Sequence, residues 1–223
     1  MPKRLLTAET WIFDLDNCLY PASQHLFDQI DARMGGFIAE MFDVDRVEAH
    51  RIQKEYFFEF GTTLAGLMHH HGLDPHGYLA YVHDIDLSPI EANARMDAAL
   101  AKIPGRKIIY TNADADHADR VLKRIGIADH FEAVHDVHAA DYVPKPKPSA
   151  YAAMLARHDI EPTRAVMVED LARNLSPASE AGLKTVWVRT SSEWSGRDAN
   201  PDHIDHSTDD LTAWLEALTA EAD

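Results

Sequence analysis

The chain is poor in cysteine, in basic residues and in long apolar runs. A single thiol, Cys18, among 223 residues excludes an internal disulfide and fits a reducing compartment. Only 21 lysines and arginines stand against 37 aspartates and glutamates, a formal net charge of -16. That balance opposes non-specific binding to nucleic acid or anionic lipid, which needs a basic surface. A small anion remains possible, held by a local lysine, a metal or a helix N-terminus. No apolar run approaches the length of a membrane span. The stretch after Met1-Pro2-Lys3-Arg4 is broken by Thr7, Glu9 and Thr10 and is too short for a secretory signal. No repeat, low-complexity segment, P-loop or dinucleotide fingerprint is present. These absences predict a soluble cytoplasmic protein with neither a nucleic-acid polymer nor a membrane as partner.

The apolar residues that are present, 46% of the chain, suffice for one large domain or a domain with an inserted module. Trp11-Ile12-Phe13 reads as a short buried strand. From Ser23 to Phe42, apolar residues recur in steps of three and four, the mark of an amphipathic helix, with Gly35-Gly36 as a weak point. Further helices are expected at 47–60, 62–71 and 75–81, and no strand-like alternation occurs between Pro21 and Ala99. Beyond Pro104-Gly105 the pattern changes. Strands are expected at 107–110, 131–134, 165–168 and 185–188. They alternate with helices at about 118–125, 148–158, 174–181 and 208–218, and Thr190 to Pro201 reads as a surface loop. Alternating strands and helices argue for a parallel α/β sheet. The expected organisation is a Rossmann-like core, 1–20 with 100–223, and an all-helical cap inserted at 21–99.

The chemistry-bearing residues fall where the expected strands end. Asp14 and Asp16 follow the first strand at i and i+2, on one side of an extended chain. At about 4 Å and an effective dielectric of about 20, two such charges repel by roughly 4 kcal/mol. Folding has no use for that pair, whereas a divalent cation or a shared proton does. Thr111-Asn112, Lys145 and Glu169-Asp170 occupy comparable places, and strand C-termini form the ligand crevice of open α/β sheets. Taken singly, each has a plain alternative. Asp-x-Asp can be a turn, Thr111-Asn112 an N-cap pair, Lys145 a solvated loop lysine and Glu169-Asp170 a helix cap. Together, in one order and on one edge, they describe a phosphate-and-metal site.

These motifs carry a family resemblance. Asp14-Leu15-Asp16-Asn17-Cys18-Leu19-Tyr20 resembles the first signature of the haloacid dehalogenase superfamily. Thr111 stands at the second motif, Lys145 in Lys-Pro-x-Pro-x-x-Tyr ending at Tyr151 at the third, and Val168-Glu169-Asp170-x-x-x-Asn174 at the fourth. Lys147 is the rival lysine, and its distance to Tyr151 fits less well. Cys18 departs from the usual Thr or Val, and a thiol is the weaker hydrogen-bond partner. Asp-Asn-Cys-Leu-Tyr and Phe60-Gly61-Thr62-Thr63-Leu64-x-Gly66-Leu67 are similar to the pyrimidine 5'-nucleotidase branch.

The resemblance implies a Mg²⁺-dependent phosphatase of small phosphomonoesters, most specifically of nucleoside monophosphates. Asp14 would be the nucleophile that forms an aspartyl-phosphate and Asp16 the acid and base. Thr111, the Asn112 amide and Lys145 would hold phosphate. Mg²⁺, a hard cation, would bind Asp14, the Asp16 carbonyl and Asp170, with Glu169 near it through water. A sugar phosphatase or phosphomutase on the same scaffold and a non-catalytic phospho-ligand sensor are the alternatives. A dehalogenase is disfavoured because that branch lacks an acid at the place of Asp16. Substrate selection is expected in the cap strip Phe60, Gly61, Thr62 and Thr63. There Gly61 permits close backbone approach, the hydroxyls can bond a base or ribose, and Phe60 can pack on a ring. The competing account makes Phe60 a core residue and Thr62 a helix cap. His69-His70-His71 is read as structural or solvated, since helical neighbours point apart. Asp114-x-Asp116 lacks the Gly and distal Glu of a calcium loop.

Overall fold

A computed structural model describes residues 2–220 and, for side chains, 5–220. Its centre is a six-stranded parallel sheet of β1 (Thr10–Phe13), β2 (Arg106–Tyr110), β3 (Ala133–His135), β4 (Ala165–Glu169), β5 (Lys184–Val188) and β6 (His206–Thr208), in the order β3-β2-β1-β4-β5-β6. β1 lies between β2 and β4, with Ile12 opposite Ile108 on one side and Met167 on the other. The central strands read as unbroken apolar runs because helices cover both faces. Trp11, Phe13, Ile109, Val166 and Val168 point to one face, where α5 (Ala94–Lys102), α6 (Ala115–Ile125) and α9 (Leu211–Ala220) pack. Ile12, Ile108, Tyr110 and Met167 point to the other, against α7 (Pro148–Arg157) and α8 (Ala172–Glu180).

Four helices lie between β1 and β2 ahead of α5: α1 (Leu26–Phe42), α2 (Arg46–Phe60), α3 (Thr63–His71) and α4 (Pro75–Val82). They enclose their own apolar cluster, including Ile30, Ile38, Ala49, Leu67, Tyr78 and Val82, which the core touches through Val137. Their ends are specified locally. Asp45 caps α2, Thr62 caps α3, and Asp74 caps α4 ahead of Pro75. Each such cap contributes about 1 kcal/mol. α1 runs unbroken through Gly35-Gly36, the weak point of the sequence pattern.

The structure differs from the sequence reading at the edges. The break expected at 99/100 falls inside α5, whose Met96, Ala99 and Leu100 pack on the sheet and whose cap, Asn93, bonds Thr212 in α9. β3 starts at Ala133, because Phe131 turns onto Phe13 instead of extending the strand. β6 is polar and partly exposed, so it carried no apolar signal. Thr208 closes that strand, and Asp210 caps α9 through Ala213 N. No helix among the described residues is long and apolar enough to cross a membrane.

Candidate active site

The C-terminal ends of β2, β1 and β4 bring the sequence motifs together. Asp14 continues the β1 ladder through its N–H to Val168 O. The chain then turns at Asn17, which has a left-handed φ of 57° that Asn tolerates better than most residues. Cys18, buried beneath the turn, directs its thiol to Val168 O at 3.7 Å, a long contact in keeping with a weak donor. Thr111 follows β2, and its hydroxyl accepts from Ala113 N. Asn112 braces the segment before α7, with Oδ1 accepting from Lys145 N at 3.0 Å. Tyr151 anchors the same segment by donating to Asn174 O at 2.6 Å.

Lys145 is buried to 2% exposure, while Lys147 is exposed. Its ammonium lies 2.7 Å from Asp14 Oδ1, 2.7 Å from Glu169 Oε2 and 2.9 Å from Tyr110 O. Asp14, Glu169 and Asp170 each offer a carboxylate oxygen, and these oxygens lie within 4.8 Å of one another. Three buried carboxylates against one ammonium leave an excess of two negative charges. The electrostatics reflect that excess. Burial and then Glu169 push the Asp14 carboxyl up to about 7, against the pull of Lys145. Burial, Glu169 and Asp14 raise Asp170 well above the carboxylate range. Burial opposes the charge on Lys145, yet Asp14 and Glu169 outweigh it and hold the ammonium above its usual range. A hard divalent cation fits this donor set in charge and in ligand type.

Asp16 sits in different surroundings. Its Oδ1 accepts from the Tyr20 hydroxyl at 2.6 Å and lies 3.0 Å from His117 Nε2. Burial pushes this carboxyl up, but His117 and the Tyr20 hydroxyl outweigh burial and hold it below the usual carboxylate range. Its carboxylate is not among the oxygens that Asp14, Glu169 and Asp170 bring together.

Asp14, Asp16, Thr111, Asn112, Lys145, Glu169 and Asp170 all border one cavity of about 600 Å³ between the sheet edge and the inserted helices. Of the strip expected to select substrate, the structure brings only Thr62 and Thr63 to the wall. Thr62 caps α3 through Ala65 N, and the Thr63 hydroxyl donates to Gln53 O. Phe60 packs instead on His69 and His70. Gly61, at φ 94°, backs onto the Lys145 carbonyl, which a Cβ would approach to 2.8 Å. Asp31, Gln53, Lys54 and Phe57 of α1 and α2 and Trp194 in the loop after β5 also line the wall. The helical spacing in α1 and α2 marked apolar faces and gave no sign of which polar residues would line a cavity. His69, His70 and His71 are exposed; His71 Nε2 lies 2.8 Å from the Tyr56 hydroxyl and belongs to no metal-ligating group.

Residues 9–182 match the family model for haloacid dehalogenase-like hydrolases, and the chain belongs to that family. Among curated proteins it is similar to Phosphate metabolism protein 8 of Saccharomyces cerevisiae, at 24% identity over 193 residues. That match covers 78% of this chain and 60% of the yeast protein. Among solved structures it resembles CbbY from Rhodobacter sphaeroides in complex with phosphate, at TM-score 0.64 and 18% identity over 92% of this chain and 95% of that one. It also resembles the L-2-haloacid dehalogenase from Xanthobacter autotrophicus with chloropropionic acid covalently bound. That likeness has a TM-score of 0.55 and 15% identity over 95% of this chain and 98% of the dehalogenase. At these identities the structural likeness concerns the fold.

Proposed function

We propose that the protein is a Mg²⁺-dependent phosphatase of small phosphomonoesters, acting on nucleoside monophosphates through an aspartyl-phosphate. The observation that carries this reading is the contrast on one loop: Asp14 within an anionic cluster beside Lys145, and Asp16 apart from it among hydrogen-bond donors. A departing halide needs no proton, whereas the alkoxide leaving a phosphomonoester needs an acid beside it.

Asp14 attacks phosphorus and the bond to the leaving oxygen breaks as that oxygen takes a proton from Asp16. Asp16, now a carboxylate, removes a proton from water as the water attacks the phosphoryl group. Phosphate departs and Asp14 is regenerated. Thr111, the Asn112 amide and Lys145 hold the non-bridging oxygens. Mg²⁺ would be held by Asp14, Asp170 and the Asp16 carbonyl, with Glu169 tied back to Lys145, and would supply charge neutralisation. The cavity volume lies within the range of small-molecule sites, and Phe57 and Trp194 give it aromatic surface on which a base can pack.

The test is phosphate release from a panel of nucleoside and sugar monophosphates, with and without chelator, beside halide release from a 2-haloacid. Chelator-sensitive phosphate release, fastest on nucleoside monophosphates, is the expected result. Halide release without phosphate release would sink the reading, and preference for sugar phosphates would move it to the sugar branch.

A further inference from the structure

The proton-transferring carboxyl of this site is held by Tyr20, at the end of the first motif, and by His117, which lies in none of them. Tyr20 and His117 both engage Oδ1 of Asp16, at 2.6 and 3.0 Å. The second oxygen, Oδ2, takes neither bond, and Asp16 borders the cavity. His117 lies in the first turn of α6 and is fully buried. Oδ1 is an acceptor whether Asp16 is ionised or carries its proton on Oδ2, so the His117 nitrogen facing it is the donor of the pair. The other ring nitrogen, Nδ1, is buried without a partner. A position on the apolar face of α6 filled only for packing has no use for such an orphan.

A second layer fixes the ring. The His83 imidazole stacks on that of His117 with centroids 4.5 Å apart and planes at 16°. Asp114 holds both: Oδ2 lies 2.7 Å from His83 Nδ1, and Oδ1 accepts from His117 N at 2.7 Å. His83 ends α4, so it comes from the inserted helices, and its carbonyl is tied to Arg120 of α6.

We infer that His117 is a positioning residue for Asp16: with Tyr20 it pins Oδ1 and presents Oδ2 to the leaving oxygen, and His83 carries that control into the inserted helices. This rests on the phosphatase reading above. In the step concerned, the Asp14–phosphorus bond forms and the phosphorus–oxygen bond of the ester breaks. The electron pair of the broken bond stays on the leaving oxygen, which takes the proton from Oδ2. The inserted block thus acts on the chemistry as well as on the choice of substrate.

The experiment compares kcat/KM, which reports steps through the first irreversible one, for an alkyl monoester (a nucleoside 5'-monophosphate) and for 4-nitrophenyl phosphate. The nitrophenolate leaves without a proton and the alkoxide does not. A positioned acid supplies about 10²–10⁴-fold, so His117→Ala is expected to lower the alkyl value by about 100-fold and the aryl value by less than about threefold. His117→Gln, which restores an N–H donor, should recover much of the loss. Tyr20→Phe should show the same split at smaller size. Should His117→Ala fail to fold, the Gln and Phe variants decide by the same ratio. Equal losses on both esters, or no loss on either, would overturn the inference and make His117 a packing residue. A wild-type protein inactive on both esters would instead overturn the phosphatase reading, and this inference with it.

Discussion

Asp14 and Asp16 leave the same strand end two residues apart, yet the fold gives them opposite environments. Around Asp14 the partners are Lys145, Glu169 and Asp170, and the sum is anionic. Around Asp16 they are Tyr20 and His117, and the sum favours the carboxylate. One carboxyl is pushed up to about 7 and the other is held below its usual range. Local sequence cannot produce that difference, since both acids share one turn. It arises because the Asp14 side faces β4 and the Lys145 segment, while the Asp16 side faces α6 and the inserted helices. These directions of shift run against the proposed roles of ionised nucleophile and protonated acid; a bound cation would lower Asp14 and a phosphate dianion beside it would raise Asp16.

The sharpest way to break this comparison is to neutralise one side at a time. Asp14→Asn is expected to lower turnover by at least about three orders of magnitude, as loss of a covalent nucleophile does. Its thermal midpoint without metal should hold or rise, because a repelling charge is gone. Retention of more than a small fraction of activity would remove Asp14 as nucleophile. Lys145→Met tests the same side from its cation. With Asp14 and Glu169 left buried and unmatched, about 3–5 kcal/mol of stability should be lost, read from denaturant unfolding. A change below about 1 kcal/mol would show that the ammonium balances nothing.

Metal and pH sharpen the contrast further. Asp14 has a folded-state value above its unfolded one, so the folded protein binds more protons. In chelator, its contribution is fully present below about pH 4 and is lost as pH rises toward about 7. Thermal melts should therefore show the chelated protein losing stability across that window. Added Mg²⁺ should stabilise it more at the upper end than at the lower, by about 2.7 kcal/mol at a hundredfold excess over its dissociation constant. A stabilisation independent of pH would place the cation elsewhere.

Smaller effects belong to the boundary between core and insert. Gly61→Ala should cost about 1–3 kcal/mol, because it forces a side chain into a left-handed position and against the Lys145 carbonyl. It should raise KM as well, by displacing the lysine segment. A variant with unchanged stability and kinetics would separate the two elements. Thr63→Val should cost about 1 kcal/mol through the lost bond to Gln53 O, with little change in preference among nucleoside monophosphates. A large shift in preference would return selection to the strip expected from sequence. A shift from Lys54→Ala or Phe57→Ala would put it on the α1–α2 wall.

Several features were legible because their signal is local. Asp14, Thr111 and Glu169-Asp170 each end an apolar strand, and the α/β alternation sets those ends along one edge. Lys145 was singled out over Lys147 by its spacing to Tyr151, and the burial of the one and exposure of the other follow that spacing. Phe60 was misleading because the period that put it on a helix face says nothing about which neighbour that face meets; it meets His69 and His70. His117 left one faint mark, a histidine in line with Val121 and Ile125 on the buried face of α6. Tyr20 was legible only as the end of the first motif, and His83 and Trp194 left no mark.

The amino-acid order by itself determined the strand and helix alternation, the caps, the acids at the strand ends and the lysine in the segment before α7. Apolar period, capping residue and strand-end position are written within a few neighbouring residues. The tertiary structure alone decided which carboxyl is crowded by charge and which is held by donors. Asp14 meets Lys145 across 131 residues and Asp16 meets His117 across 101, and only closure of the sheet with its inserted helices brings such groups within hydrogen-bonding distance.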